Sequence, residues 1–326
     1  MAPDERDLTC ANGDVWLDPA MTATLLTLAL SLPLADPACD AAFERLRSEG
    51  SVEGAYVSHV AFAKADVGDG QGRWFLIDTG ANRSALDRGV ATALGLADEG
   101  ATTVEGTAGV VHVSSTTVPR FTLGGLSMPL SPTVSDLSGL AGPNGEPVAG
   151  ILGGDAFGRS VLTLDFERGR LAIAPASEAS RTAGACGRGV DVRDDNGIPR
   201  MQGEVDGRPV WLRYDSGAGL FESPHLWINL SQPQHAEILD GREAGEPIAR
   251  LGGSGTGGQV SLPVHQGASF RLGTLEWSAP RLIVQPPQGY FAREEAVGFL
   301  GNAAFKPYGL VVIDYPGGRL SVPPAR

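Results

Sequence analysis

Two short acidic motifs carry the residues best suited to chemistry. Asp78-Thr79-Gly80-Ala81 follows the apolar run Trp74–Ile77, and Asp215-Ser216-Gly217-Ala218 follows Val210–Tyr214. A strand that ends in a carboxylate places a charge at the edge of a core, which is costly unless the charge is paired or used. Two such motifs predict that two carboxylates come together. Such a pair suits general acid–base chemistry, because one carboxyl can hold a proton while the other accepts one.

The two motifs belong to an internal duplication of the chain. Asp78 and Asp215 are 137 positions apart, and further segments recur in the same order around them. One doubling of this length indicates two matched units rather than a solenoid of short repeats. The other matched segments are Phe121–Leu126 with Phe270–Leu275, Gly150–Gly153 with Gly298–Gly301, Phe157 with Phe305, and the hairpins Leu162–Leu171 and Val311–Leu320.

This ordered set resembles the aspartic peptidases, the superfamily of pepsin and the retroviral proteases. The resemblance covers roughly residues 55 to 325, and the short units look closer to the retroviral type. It implies an all-β fold of two pseudo-symmetric acid-protease lobes, each a β-barrel, with an active-site cleft between them. The expected division is a leader or signal-like segment at 1–38, one lobe at 39–180 and a second at 187–326.

By the same resemblance, Asp78 and Asp215 are the catalytic residues and activate a water molecule between them. Neither aspartate can be assigned the acid or the base role from the sequence. Residues of the two loops are expected to support the pair. Hydroxyl groups would form hydrogen bonds between the lobes, and glycines would allow the backbone to approach the carboxylates and donate N–H groups to them. These supporting residues are Thr79, Gly80, Ser216 and Gly217.

Two glycine-rich segments flanked by β-forming residues are the candidate flaps. In the family that the chain resembles, a β-hairpin closes over an extended peptide and adds strand-like hydrogen bonds. The alternative is two plain surface hairpins. The predicted flap residues are Gly106, Thr107, Ala108 and Gly109 in the first unit and Gly253, Ser254 and Gly255 in the second.

Length and composition fit two β-rich units. The chain has 326 residues, enough for two cores, and its formal net charge of −13 argues against nucleic acid as a partner. The histidines lie scattered without metal-ligand spacing, so no metal and no cofactor is expected. We also expect a monomer without a membrane span. Short helices are predicted at Cys39–Glu49, Asp87–Leu96, His235–Glu243 and Gly154–Phe157, with a linker at Ser177–Gly189.

The N-terminal region leaves two questions open. Met21–Ala35 is similar to the apolar core of a secretion signal, although it lacks a basic flank. A signal predicts a periplasmic or secreted protein, and a buried N-terminal segment predicts a cytoplasmic one. Cys39 and Cys186 either form a bridge or remain free thiols, and an oxidising compartment favours the bridge.

The sequence therefore predicts an aspartic endopeptidase that hydrolyses peptide bonds of extended substrates. The alternative is a non-catalytic peptide-binding or inhibitor-like protein on the same fold. Arg213 keeps that alternative open, because it lies two residues before Asp215, where the first unit has Leu76. An arginine at this position either lowers the pKa of Asp215 or points to solvent at a sheet edge.

Overall fold

Short β-strands are the main regular elements of the chain, as its apolar runs separated by turn residues predict. The structure is a computed structural model that describes residues 36–219, 223 and 225–325. The strands of its first half are β1 (Ser51–Val57), β2 (Val60–Asp66), β3 (Gly72–Ile77), β4 (Ala85–Asp87), β5 (Ala101–Gly106), β6 (Gly109–Ser115), β7 (Val118–Leu123), β8 (Leu126–Leu130), β9 (Thr133–Ser135), β10 (Gly150–Leu152), β11 (Val161–Asp165) and β12 (Arg170–Ala174).

The second half contains the same number of strands. They are β13 (Arg188–Asp195), β14 (Ile198–Val205), β15 (Arg208–Asp215), β16 (Trp227–Leu230), β17 (Ala249–Gly255), β18 (Gly258–Gln266), β19 (Ser269–Leu272), β20 (Leu275–Ser278), β21 (Arg281–Val284), β22 (Gly298–Gly301), β23 (Leu310–Asp314) and β24 (Arg319–Val322). The α-helices are α1 (Pro37–Ser48), α2 (Arg88–Ala93), α3 (Gly154–Phe157), α4 (Glu178–Cys186) and α5 (Gln232–Leu239).

The two halves repeat one pattern of strand pairing. In the first half, β3 pairs in parallel with β10, and β4 pairs in parallel with β9. In the second half, β15 pairs in parallel with β22, and β16 pairs in parallel with β21. The strand that precedes each acidic motif therefore lies beside the strand that contains the later apolar-apolar-Gly segment. The matched segments of the sequence occupy equivalent places in the two halves.

A sheet with strands from both halves connects them. Its order is β1–β12–β11–β23–β24–β13, and all its pairs are antiparallel. The central pair is β11 with β23, where Thr163 lies opposite Val312. Every residue of these two central strands is buried, which explains their almost continuous apolar sequence. The order is symmetric about this pair, as expected if the duplicated units meet around a two-fold axis.

Each half buries the inward face of its acidic-motif strand in the main core. Phe75 and Ile77 of β3, and Leu212 and Tyr214 of β15, are at most 1% exposed. Because strand side chains alternate between faces, the residues between them point to the opposite side of the sheet. Phe75 packs edge-to-face on Phe121, one of the repeated aromatic residues. This packing fixes the direction in which each strand delivers its carboxylate.

Two helices cover the connecting sheet and are joined by a disulfide bond. Cys39 of α1 is bonded to Cys186 of α4, which settles the alternative that the sequence left open. Phe43 and Leu46 of α1 pack with Ala183 of α4 against buried residues of the connecting sheet. Arg47 of α1 adds an ion pair to Asp165, at 2.9 Å, in the same region. The helix pair thus ties the beginning of the first half to the beginning of the second.

The linker predicted at Ser177–Gly189 is largely a helix. Ser177 caps α4 through a reciprocal pair of hydrogen bonds with Ser180, an arrangement that satisfies free N–H groups of the first turn. Small polar residues indicated a linker, but burial against α1 and the connecting sheet makes this segment helical. The other predicted helices agree with α1, α2, α3 and α5 within a few residues.

The fold is mostly β, with short helices at the places given above. Among the described residues, no helix is long and apolar enough to cross a membrane. The division into lobes at 39–180 and 187–326 stays a prediction, because residues 35–326 cluster as a single unit. The signal-like segment Met21–Ala35 and most of the leader at 1–38 lie outside the described residues.

We expect removal of the disulfide bond to destabilise the protein. Replacing Cys39 and Cys186 together by serine removes a cross-link between residues 147 positions apart. Cross-links of this kind contribute about 2–4 kcal/mol, largely by restricting the unfolded chain. Urea unfolding of both proteins, with and without dithiothreitol, measures the difference. The serine variant should not respond to the reductant, and an unchanged midpoint in the reduced wild type would contradict the expectation.

Candidate active site

The two acidic motifs meet between the halves. Asp78 directly follows β3, and Asp215 is the last residue of β15. The backbone N–H of Asp78 donates to the carbonyl of Leu152 on the parallel neighbour β10, and Asp215 lies in register with Gly301 of β22. Each carboxylate is therefore positioned by a strand end that is held on one side by a parallel strand of its own half.

Four hydrogen bonds cross between the loops in reciprocal pairs. The Thr79 N–H donates to Ser216 Oγ at 3.0 Å, and the Ser216 N–H donates to Thr79 Oγ1 at 2.9 Å. Each hydroxyl in turn donates to the carbonyl that lies before the opposite aspartate: Thr79 Oγ1 to Tyr214 at 2.8 Å, and Ser216 Oγ to Ile77 at 2.6 Å. Thr79 and Ser216 are fully buried, so these bonds are shielded from water.

The glycines of the motifs lie against the opposite carboxylates. A Cβ added at Gly80 would be 2.5 Å from Cγ of Asp215, and one added at Gly217 would be 2.8 Å from Cγ of Asp78. The N–H groups of Gly80 and Gly217 each donate to Oδ1 of their own aspartate at 2.9 Å. Glycine is required at both positions, because any side chain would push the two carboxylates apart.

The carboxyl groups of Asp78 and Asp215 hydrogen-bond to each other. Burial raises the pKa of Asp215 well above its usual range, and the adjacent charge of Asp78 raises it further. Burial also raises the pKa of Asp78, but the hydrogen bond from Asp215 and backbone N–H donors oppose that rise. The pair therefore retains one proton to higher pH than separate aspartates would.

Asn302 is a buried neighbour of the pair that the sequence analysis did not select. Its Nδ2 donates to the carbonyl of Ser216 at 3.1 Å and to that of His59, in the first half, at 2.6 Å. Its Oδ1 accepts the hydroxyl of Tyr214. The available signal was a polar residue directly after the Gly298–Gly301 segment, where the first half has glycine.

The side chain of Arg213 binds the carboxylate of Asp195, outside the acid pair. Its Nε and Nη2 donate to Oδ2 of Asp195 at 3.0 and 2.8 Å. Its guanidinium also stacks on the ring of Tyr290, 4.3 Å from the centroid. The arginine is thus committed to Asp195 and Tyr290 rather than to the acid pair.

The predicted flap residues lie on two β-hairpins whose tips touch. Gly106, Thr107, Ala108 and Gly109 form the turn between β5 and β6, as expected. Gly253, Ser254 and Gly255 lie on β17 just before its turn, so the tip of the second hairpin is at Thr256 and Gly257. The Ala108 N–H donates to the carbonyl of Thr256 at 3.1 Å, which joins the two tips. A role of these residues in binding substrate stays a prediction.

A segment of the second half also holds the first hairpin. This segment, 289–293, is called the strap below. A Cβ at Gly289 would be 2.2 Å from the carbonyl oxygen of Gly106 and 2.6 Å from the nitrogen of Gly109. Arg293 of the strap forms an ion pair with Glu105 of the hairpin. Because Tyr290 stacks on Arg213, the strap connects the strand before Asp215 to the tip of the opposite hairpin.

Part of the chain is similar to known proteins. Residues 63–156, which include Asp78-Thr79-Gly80 and Gly153, match the family model described as aspartyl protease. Among solved structures, a retropepsin-like aspartic protease from Rickettsia conorii is similar at 13% identity. The match covers 41% of this chain and 87% of that one, with a TM-score of 0.27. No curated protein matches the chain.

The acid pair should make the fold less stable at neutral pH than in acid. Because burial raises both pKa values, the folded protein binds protons more tightly than the unfolded chain. Stability is therefore lost as the pH rises above about 3.9, the ordinary pKa of an aspartate. Asp215→Asn should raise the melting temperature at pH 7 by about 2–4 °C, and by less at pH 3.

The matched control for this measurement is Asp191→Asn. It makes the same replacement at a carboxylate that is 91% exposed and forms a solvent-screened ion pair with Arg319. Thermal unfolding of the three proteins at several pH values separates the two effects. An equal shift for both variants would mean that net charge, rather than the acid pair, controls the pH dependence.

The contact between the strap and the hairpin can be tested with glycine substitutions. Gly289→Ala should loosen the first hairpin, since the new methyl group would collide with Gly106 and Gly109. Gly245→Ala is the control, because Gly245 also has a positive φ but no neighbour within 4 Å of an added Cβ. Both variants should lose about 1–2 kcal/mol through the left-handed backbone. Only Gly289→Ala should accelerate amide exchange in residues 105–111, and equal exchange in both variants would contradict the contact.

Proposed function

We propose that the protein is an aspartic endopeptidase in which Asp78 and Asp215 activate a water molecule to hydrolyse a peptide bond. The observation that carries the proposal is the hydrogen bond between these two carboxyl groups, supported on both sides by the reciprocal Thr79 and Ser216 bonds. The match of residues 63–156 to the aspartyl protease family model supports it independently. A carboxyl pair held this closely has little structural use, because two buried acids destabilise a fold.

The raised pKa values support an assignment of roles. Asp215 holds the shared proton and is the general acid, and Asp78 is ionised and is the general base. Asp78 takes a proton from the water as the water oxygen attacks the peptide carbonyl carbon. Asp215 donates its proton to the carbonyl oxygen, which gives a gem-diol. When the C–N bond then breaks, Asp78 gives the proton that it took from water to the amide nitrogen, which leaves as an amine, and a hydroxyl of the gem-diol returns a proton to Asp215 as the product carbonyl forms. No covalent enzyme intermediate forms.

The substrate would be an extended peptide between the acidic loops and the paired hairpins. Exposed strand edges bind extended peptides through backbone hydrogen bonds, and the hairpins β5–β6 and β17–β18 offer such edges. Since the tips are joined by the bond between Ala108 and Thr256, that contact has to open before a peptide can enter. In this proposal the two halves act as the lobes of one monomer, and no metal or cofactor takes part.

The disulfide bond supports an extracytoplasmic location. Bonds of this kind persist in oxidising compartments, and Cys39 is fully buried where it bonds to Cys186 of α4. We propose that the protein is exported to the periplasm or secreted, in line with the signal-like segment Met21–Ala35.

A cleavage assay with substituted aspartates tests the proposed function. Wild type should cleave peptide libraries at acidic pH and be inhibited by a pepstatin-type compound. Asp78→Asn and Asp215→Asn should each lose about 10²–10⁴-fold in kcat, the usual contribution of a general acid or base. Asp191→Asn is the control that keeps the acid pair. Peptide binding without cleavage from about pH 3 to 7 would instead establish the non-catalytic peptide-binding protein.

A further inference from the structure

The two halves differ on the strand face that carries the carboxylates of the acid pair. In the first half, Leu76 lies in register with Phe62 on one side and Ile151 on the other, and Phe62 lies opposite Ala55. This row is apolar from end to end, and Phe62 and Leu76 pack with Trp74. Because Leu76 and Asp78 are two residues apart, their side chains leave the strand on the same face.

The equivalent row of the second half consists of arginines. Arg213 lies in register with Arg200 of β14, and Arg200 lies opposite Arg193 of β13. On the other side of Arg213 is Phe299, the counterpart of Ile151. We call Arg193, Arg200 and Arg213 the arginine row. Like charges directly opposite each other on neighbouring strands are destabilising, so this row needs compensating partners.

Only part of the positive charge of the row is neutralised. Asp195 accepts two hydrogen bonds from Arg213 through one oxygen, Oδ2. Arg193 and Arg200 instead stack on the ring of Trp211, at 4.7 and 4.8 Å from its centroid. Within the described part of the chain, the buried Nε of Arg200 has no hydrogen-bond partner. A protein with a formal net charge of −13 thus has a local excess of guanidinium groups beside one of its catalytic aspartates.

The arginine row lies where a bound peptide would pass. Arg213 is two residues before Asp215, and the strap that stacks on it through Tyr290 reaches the first hairpin at Gly106 and Gly109. A peptide held between the acidic loops and the hairpin tips therefore passes beside Arg213. At physiological ionic strength the Debye length is about 8 Å. The positive charge of Arg213 therefore affects the binding energy of a substrate side chain more than the acidic residues farther away do.

We propose that Arg213 is a specificity-determining residue that selects substrates with a glutamate or aspartate on one side of the cleaved bond. The proposal rests on the proposed peptidase function. The side chain on the other side of the bond meets the row around Leu76 and Phe62 and is apolar. The substrate carboxylate accepts hydrogen bonds from Arg213, whose N–H groups donate to Asp195 in the free protein. Arg200 adds a second positive charge. Guanidinium and carboxylate groups pair through parallel N–H···O bonds, which gives directional selection.

Cleavage of matched peptides tests this selection. The peptides differ only by glutamate, glutamine or leucine at each position next to the cleaved bond. Wild type should prefer glutamate to glutamine by about tenfold in kcat/KM at one position, mostly through KM, as expected for one charge-assisted contact. Arg213→Leu, which installs the residue of the first half, should reduce this ratio to about 1. Arg271→Leu is the control, because Arg271 forms an ion pair with Glu204 elsewhere on the second half.

Asp195→Asn is expected to change the preference for glutamate in the opposite direction. Since it removes the carboxylate that competes for Arg213, the preference for glutamate should increase. If the ion pair between Arg213 and Asp195 had a purely structural role, Asp195→Asn would not raise the selectivity that Arg213→Leu abolishes. Thermal unfolding identifies any variant that fails to fold. The inference is overturned if wild type cleaves neutral peptides with no preference for an acidic residue at any position.

A binding measurement keeps this inference distinct from the catalytic proposal. Fluorescence anisotropy of the same peptides with the Asp215→Asn protein gives the ratio of Kd values without cleavage. A glutamate preference in binding, combined with no cleavage by wild type, would retain the selection by Arg213 and refute the peptidase function. Equal binding of all peptides would refute the selection, whether or not wild type cleaves them.

Discussion

The structure depends on holding two carboxyl groups in hydrogen-bond contact in spite of their mutual repulsion. The reciprocal bonds between Thr79 and Ser216 achieve this without using the carboxylates themselves, because hydroxyl and backbone groups carry the connection. Gly80 and Gly217 then allow each loop to approach the opposite acid. The hydroxyl groups of each loop have their partners in the other half, so neither half can form the site alone. Duplication supplies both loops in one chain and removes the need for a second molecule.

Keeping the loops in place requires the two halves to stay in fixed register over the whole interface. The connecting sheet does this through the buried pair β11 and β23, whose antiparallel bonds allow no sliding without loss of the ladder. The disulfide bond between α1 and α4 reinforces the same boundary from outside the sheet. Asn302 adds a third connection, since it bonds to Ser216 and His59 at once. Rigid scaffolding of this kind maintains the geometry that general acid–base chemistry needs.

The sequence predicted the parts of this arrangement that are encoded locally. An apolar run followed by Asp-Thr-Gly or Asp-Ser-Gly specifies a buried strand and a tight loop, and repetition of the landmarks indicated that Asp78 and Asp215 are equivalent. Contacts between distant segments other than these two repeated motifs could not be predicted in this way. The helical conformation of α4 comes from its burial against α1, and the bond between Ala108 and Thr256 depends on where two hairpins end in space. Single-sequence patterns contain no information on such pairings.

Asn302 shows the same limit and also shows how the two copies diverged. At its position the first half has Gly154, where an added Cβ would be 2.3 Å from the carbonyl oxygen of Gly197 in the other half. The backbone of Gly154 thus packs directly on the backbone of Gly197. At the equivalent place in the second half, the amide side chain of Asn302 bridges the two halves. The two solutions make the surroundings of Asp78 and Asp215 chemically different. That difference extends to Arg213, and in the proposed peptidase it would suit a peptide substrate, which has a direction and no two-fold symmetry.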